Sequence, residues 1–527
     1  MIDLEWKGVV LPFIVVILSL LFSFGFMALM DWEISLVTIL LPIMLIAIAN
    51  DYGIHLINLY QEKFASGKQK SIKEVAISIY EELKKPILIT ALTTIGGMLG
   101  LLSHKLPPAA ELGVLASVGI GLALLMSLFL IPVLLSFYGA PEYKKNNNRK
   151  LLAINRVMEK FAGWVSRYPK RVIGAFVIVA AFSVVGLFFL KIDTNVEAYF
   201  LGKSDLKKGI ELVNEKFGGS QYVSVLFNGD VLSPEMLTQI EKYTAEIEAL
   251  PKVGNVISPT MFLKELSKGV YMPNEPGYNT LPKTKAETVQ YLEIFAMSGY
   301  EEQISQFIDY NYENTRILVS LKDGSNETGK AVLEALHKIT DDDEHLVCIA
   351  GPGLSKIQIA DMVIQGQITS LILAFIIIFV LLTMVFKSVV AGFLGSIPLL
   401  LSILLLFGLM GFGGISLDIV NTLLSSIMIG VGVDYTIHFL WRYKLEYAKS
   451  GNPAKAISKT LSTTGRGIIF NAFSIIVGFS ALIFSGFAPL RFFGVLVVIS
   501  IFACLISALL LIPAIITITK PKFLEPQ

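Results

Sequence analysis

Apolar residues gather into ten stretches, near 8–30, 36–59, 86–104, 110–138, 171–191, 366–386, 389–411, 418–441, 466–486 and 490–517. Each is about 20 mostly apolar residues, the length a helix needs to cross a hydrocarbon layer. Polar breaks at Asp31 to Glu33, Gln61 to Lys85 and His104 to Pro108 separate the first four. After the fifth the pattern changes. VSVLF, RILVSL and HLVCIAG read as short buried strands, and 233–250 and 326–339 have helical apolar spacing, which predicts an α/β domain with a split β-α-β arrangement. Pro251, Pro259, Pro273, Pro276 and Pro282 argue against regular elements in its middle.

The short loops carry a one-sided charge. Lys63, Lys68, Lys70, Lys73, Lys84 and Lys85, then the KKNNNRK tract with Arg156, Arg167, Lys170 and Arg171, then Arg442, Lys444, Lys449, Lys455 and Lys459 fall on one side. The opposite short loops hold little that is basic beyond Lys105 and Arg491. Lysine and arginine stay on the cytoplasmic side during insertion, so both termini are expected in the cytoplasm of a cell-membrane protein (inner or plasma membrane), with the long insert outside. The start, MIDLEWKGVV, has no basic n-region or cleavage site and reads as a retained span. The expected fold is an α-helical polytopic membrane protein with a duplicated transmembrane bundle and one extracytoplasmic α/β domain. Its expected divisions are a four-span repeat at 1–140, a cytoplasmic linker at 141–170, a span at 171–191, the external domain at 192–365 and a five-span repeat at 366–527.

Composition agrees with this pattern: charged residues are 16% of the 527 and mean hydropathy is +0.67, values rare in a water-soluble globule. Lysine plus arginine (43) nearly match aspartate plus glutamate (42), which gives no sign of a nucleic-acid partner. Two cysteines, Cys348 and Cys504, cannot build a disulfide framework or a thiolate cluster.

The chain also repeats itself. IANDYGIHLINLYQEKFASG leads to ITALTTIGGMLGLL and then to PPAAELGVLASVGIGLALLMSLFLIPVLLSF; VGVDYTIHFLWRYKLEYAKSG leads to FNAFSIIVGFSALIF and then to APLRFFGVLVVISIFACLISALLLIPAIITI. Asp51 thus matches Asp434, His55 matches His438 and Pro108 matches Pro489. The intervening SIKEVAISIYEELKK places Ile72, Val75, Ile79 and Leu83 on one face and predicts a helix lying at the inner membrane surface, with PAKAISKTLS as its counterpart. Two similar bundles can rock against one another around a shared midplane site, a common plan for secondary transporters.

Asp51 and Asp434 lie inside apolar spans, where a charged carboxylate costs about 2.5 to 3.5 kcal/mol. Protonation lowers that cost, which is the physical basis of a proton relay. Tyr52 and Tyr435 follow immediately, and His55 and His438 share the aspartate's face one turn on as supporting groups. A single such aspartate is as well explained by helix association; packing does not require a titratable group in both halves. Ala47, Ala49, Gly430 and Gly432 would let a neighbouring helix approach, with Gly96, Gly97 and Gly100 as packing positions. Thr93, Thr94, Asn471 and Ser474 are candidate polar partners from the following helices. There is no GxxxxGK[ST] motif, no metal-ligand cluster and no catalytic constellation, so neither cofactor, metal nor enzymatic activity is expected.

GVGVDYTIHF, IANDYGIHL, the TALTTIGG helix and the large external domain together resemble the resistance-nodulation-division (RND) superfamily, in its hydrophobe/amphiphile efflux and MMPL-like branches. The resemblance implies that Asp51, Tyr52, Asp434 and Tyr435 are proton-relay residues on the fourth and tenth helices of the family's plan. It also implies a porter-like external domain and export of lipids, drugs or other amphiphiles by proton antiport, with sodium the alternative ion. Family members have twelve spans and two external domains. WKGVV resembles FKSVV at 386–390, so this sequence is expected to start at the third span, either as a split protein whose oligomer or partner supplies the first span, external domain and second span, or as a truncated reading frame. A sterol- or lipid-sensing membrane module, or a translocation auxiliary similar to SecD and SecF, is the alternative reading.

Overall fold

A computed structural model describes residues 6–65, 71–138, 148–200 and 204–524. Lys68, Lys70, Lys144 and Lys145, counted above as basic, lie outside the described residues. In chain order the helices are α1 (Trp6–Leu29), α2 (Leu40–Ala65), α3 (Ile72–Leu99), α4 (Pro107–Tyr138), α5 (Asn148–Arg167) and α6 (Pro169–Leu187). There follow α7 (Asp205–Lys216), β1 (Gln221–Asn228), α8 (Pro234–Glu248), β2 (Val253–Ile257), α9 (Pro259–Val270), α10 (Lys285–Met297), α11 (Glu301–Ile304), β3 (Asn314–Leu321), α12 (Asn326–Thr340) and β4 (Leu346–Ala350). The chain finishes with α13 (Pro352–Phe386), α14 (Val389–Gly413), α15 (Leu424–Ser450), α16 (Pro453–Thr460), α17 (Arg466–Ser480), α18 (Ala488–Ile506) and α19 (Ile512–Thr519). The fold divides into two units, residues 1–192 with 362–527, and residues 193–361.

The first unit is a helical bundle, and ten helical segments among the described residues are long and apolar enough to cross a membrane. Its packing repeats. In the first half α1 lies against α2 and α4, α2 against α4, and α3 against α4; in the second α14 lies against α15 and α18, α15 against α18, and α17 against α18. The halves meet reciprocally: α3 packs on α15, and α17 packs on α2. Two glycines show how closely the duplication holds. A Cβ at Gly113 would stand 2.6 Å from the Met98 carbonyl, and one at the matching Gly494 2.9 Å from that of Phe479.

Two expectations change here. SIKEVAISIYEELKK is not a separate helix. It is the first half of α3, continuous through Pro86, with a Ser71–Glu74 capping box at its start. Proline removes one backbone bond without ending a helix when neighbouring helices hold both sides. Residues 148–167, read as part of a linker, form the amphipathic α5, which buries Ala162 and Val165 and packs on α16 and α19.

The second unit is a four-stranded antiparallel sheet, ordered β2-β3-β1-β4. β1-α8-β2 and β3-α12-β4 are its two halves, and β3 is inserted between the strands of the first, the split β-α-β form. Along β3 every second residue, Thr315, Ile317, Val319 and Leu321, is buried. These residues meet Val223, Val225 and Phe227 of β1, Ile240 and Ile247 of α8, and Val332 and Leu336 of α12 in one core. The proline-rich middle is more ordered than expected: β2 follows Pro251, Pro259 opens α9 at its first turn, and Leu263, Tyr291 and Phe307 join a second core.

Candidate ion-coupling site

Asp434 sits on the most enclosed span, since 94% of the apolar window of α15 is buried. The duplicated sequence places Asp51 at the equivalent level of α2, and each carboxylate is only 5% exposed. Their partners differ. Thr93 Oγ1 lies 3.4 Å from Asp434 Oδ1, and Thr94 Oγ1 lies 3.4 Å from Oδ2. Each threonine has one hydroxyl proton, and shorter contacts take it to the Thr90 carbonyl, 2.9 Å from Thr93 and 2.8 Å from Thr94. The oxygen lone pairs then face Asp434, so a protonated carboxyl can donate to them and an ionised one can draw the hydroxyl proton over. α3 reaches this level because Gly97 packs on Gly430, leaving no room for a side chain between the helices.

Asp51 instead contacts His55, Nε2 to Oδ1 at 3.3 Å on successive turns. The His55 ring meets that of His438, with centroids 5.1 Å apart and planes at 34°, a contact between the two repeats. The two carboxylates are close enough to interact electrostatically. Tyr52 and Tyr435, next to the aspartates in sequence, are enclosed in the same bundle. Both rings are 1% exposed. Low-dielectric surroundings strengthen every one of these interactions.

The candidate partners divide. Thr93 and Thr94 reach a carboxylate. Asn471 is buried but forms no hydrogen bond to Asp51 among those described, and Ser474 is exposed on the outer face of α17. The second repeat therefore does not reproduce the threonine pair: Ile475, buried and apolar, stands where Thr94 stands in the first. The sequence reading missed other groups. Asp418 Oδ1 accepts from the Asn421 amide at 2.7 Å, and Ser35 Oγ accepts from the Thr38 amide at 3.3 Å. These caps precede Asp434 and Asp51 by equal intervals, a signal the repeat alignment contained. Gln367 of α13 bonds to Thr422 and Ser425, and the Cys504 thiol donates to the Gly432 carbonyl at 3.2 Å.

Against known proteins, the MMPL family model matches residues 8–172 and 293–526. The chain belongs to the MMPL family. It is a multi-pass membrane protein, and its family places it with RND-type proteins, as the Asp-Tyr motifs suggest. Membrane protein MJ1562 of Methanocaldococcus jannaschii is 20% identical over 385 residues, 70% of this chain and 96% of that protein. Membrane protein YdfJ of Bacillus subtilis is 21% identical over 515 residues, 91% of this chain but 63% of its own length. The sulfolipid-1 exporter MmpL8 of Mycobacterium tuberculosis is 25% identical over 204 residues, 35% of this chain and 18% of the exporter.

Proposed function

We propose that this MMPL protein is a proton-motive-force-driven exporter of hydrophobic or amphiphilic molecules, with Asp51, Tyr52, Asp434 and Tyr435 as its relay and His55, His438, Thr93 and Thr94 in support. The observation that carries the reading is a buried carboxylate in each repeat tied to the other repeat, Asp434 directly through Thr93 and Thr94, and Asp51 through His55, whose ring meets His438. Protonation removes the repulsion between the carboxylates and frees the threonine hydroxyls, so the relay's charge alters the fit of α3 on α15. Rocking of one repeat against the other must also slide the His55–His438 contact. One proton crossing 100 mV supplies about 2.3 kcal/mol, so a few can drive extraction of an apolar molecule. A lipid cargo is favoured by the sulfolipid exporter among the relatives. In this reading residues 192–365 form an extracytoplasmic porter-like domain, 1–140 and 366–527 are the moving repeats, both termini are cytoplasmic, and an oligomer or partner completes substrate capture.

The test is gradient-driven flux of a fluorescent amphiphile in proteoliposomes. The Asp51→Asn and Asp434→Asn double variant is nearly isosteric and should lose that flux while keeping its melting behaviour. Undiminished flux in the double variant overturns the relay. A wild-type protein that binds lipid without any flux overturns export in favour of a sensor.

A further inference from the structure

Upstream of Asp434, α15 and the turn before it carry polar side chains that have no counterpart in the first repeat. Thr422 Oγ1 donates to Gln367 Oε1 at 2.8 Å, and Gln367 Nε2 donates to Ser425 Oγ. Gln367, Thr422, Ser425 and Ser426 are all buried, and Ser426 Oγ and Asn421 Oδ1 have no protein partner among the described residues. In the first repeat the positions of Thr422, Ser425 and Ser426 are held by Ile39, Pro42 and Ile43. Helix capping does not explain this difference, because the Ser35–Thr38 and Asp418–Asn421 caps occur in both repeats. Neither does association between helices, since packing leaves no reason for a hydroxyl without a partner.

Buried polar atoms are bonded to protein or to ordered water, and a hydroxyl enclosed in a span without a protein partner marks a place for water. The spacing suits such a file. From Ser426 to Gly430 the helix rises about 6 Å, two water-to-water steps. At the Gly430 level the Thr94 hydroxyl takes over, 3.2 Å from the Gly430 carbonyl and 3.4 Å from Asp434 Oδ2. At the other end lie two titratable groups: Asp418, and His104, whose ring packs against Gly366 beside Gln367 and whose buried Nε2 also lacks a partner.

We infer that a one-sided water file runs between α13 and α15, from the Asp418 turn past Gln367 and Ser426 to Asp434. The inference rests on the relay proposed above and gives it an order. Ions entering at the end where the chain leaves the bundle at Ile192 reach Asp434 first, and Asp51 exchanges through His55 towards the opposite end.

Thiol labelling in proteoliposomes tests the file without requiring transport. In a Cys348→Ser background, Ser426→Cys and Ile429→Cys place thiols at two fully buried sites of one helix. A water-soluble methanethiosulfonate should label the first roughly tenfold faster or more, the ratio that a 1.36 kcal/mol difference in access supplies. Equal rates, with Thr422→Cys also as slow as Ile429→Cys, overturn the file. Gln367→Leu should in addition slow gradient-driven flux by about fivefold or more, through loss of two hydrogen bonds on the route. Absent wild-type flux would sink the export proposal alone, because the labelling ratio still decides whether water reaches Asp434.

Discussion

Replacing Gly97 by alanine inserts one methyl group where α3 crosses α15. Its Cβ would stand 2.5 Å from Gly430 Cα and 2.7 Å from Gly430 N, both backbone atoms that cannot swing away. Carbon atoms settle about 3.5 to 4.0 Å apart, so the helices must part by about 1 Å. Thr93 and Thr94, one turn earlier on α3, are already 3.4 Å from Asp434, and that parting takes them beyond hydrogen-bonding range. Overpacking costs about 1 to 3 kcal/mol, and the better helix propensity of alanine returns about 1, so Gly97→Ala should lose up to about 2 kcal/mol of stability. It should also depress gradient-driven flux. Gly430→Ala faces the same contact from the other side, yet its Cβ would meet only the Thr94 carbonyl at 3.0 Å and two carbons at 3.6 Å. A shift of a few tenths of an ångström accommodates it, so it should be near neutral. Paired denaturation in detergent and flux in proteoliposomes measure both effects. Gly97→Ala with wild-type stability and flux, or Gly430→Ala as the more damaging change, would refute the reasoning.

Two further outcomes follow from the same geometry. Gly113→Ala and Gly494→Ala should destabilise the bundle by similar amounts, about 1 to 3 kcal/mol each, because both new methyls press on equivalent carbonyls; melting of the two variants side by side checks it. Burial pushes His104 down to about 4. The unfolded chain takes up a proton below its ordinary value of about 6.5, so the stability His104 contributes is present above that pH and declines as pH falls towards 4. Melting between pH 7.5 and 4.5 should show that decline, and His104→Asn should flatten it; an unchanged slope removes His104 as its source.

The Asp-Tyr motifs could be found because they are repeated in a span-length apolar context, and duplication survives where local propensity is ambiguous. Thr93 and Thr94 were within reach for the same reason. Ser474 is exposed although α17 buries the same face as α3, with Asn471, Ala472, Ile475 and Phe479 matching Thr90, Ala91, Thr94 and Met98; what differs is how closely the opposite repeat packs beside it, which sequence equivalence does not fix. α5 was hidden by its basic residues, which resemble a linker when counted rather than placed on a helical wheel. Pro86 was read as a boundary, yet bundle packing carries α3 through it. The Gln367 network depended on α13 meeting α15, a contact no periodicity encodes, although a glutamine in so apolar a span was itself a sign.

The uninterrupted course of α3 has a mechanical consequence. Its 28 residues make a strut about 42 Å long. Just before Pro86, Lys63 of α2 grips Glu82 at 2.7 Å, and beyond it, in the second half, stand the two hydroxyls that face Asp434. Pro86, with one backbone bond missing, is its only weak joint among the prolines of the helix. A load applied between Ser71 and Glu82 is therefore either transmitted to the carboxylate or absorbed as a bend at Pro86. Whatever moves the segment from Ser71 to Glu82 therefore also moves the hydroxyls that face Asp434, unless Pro86 yields first.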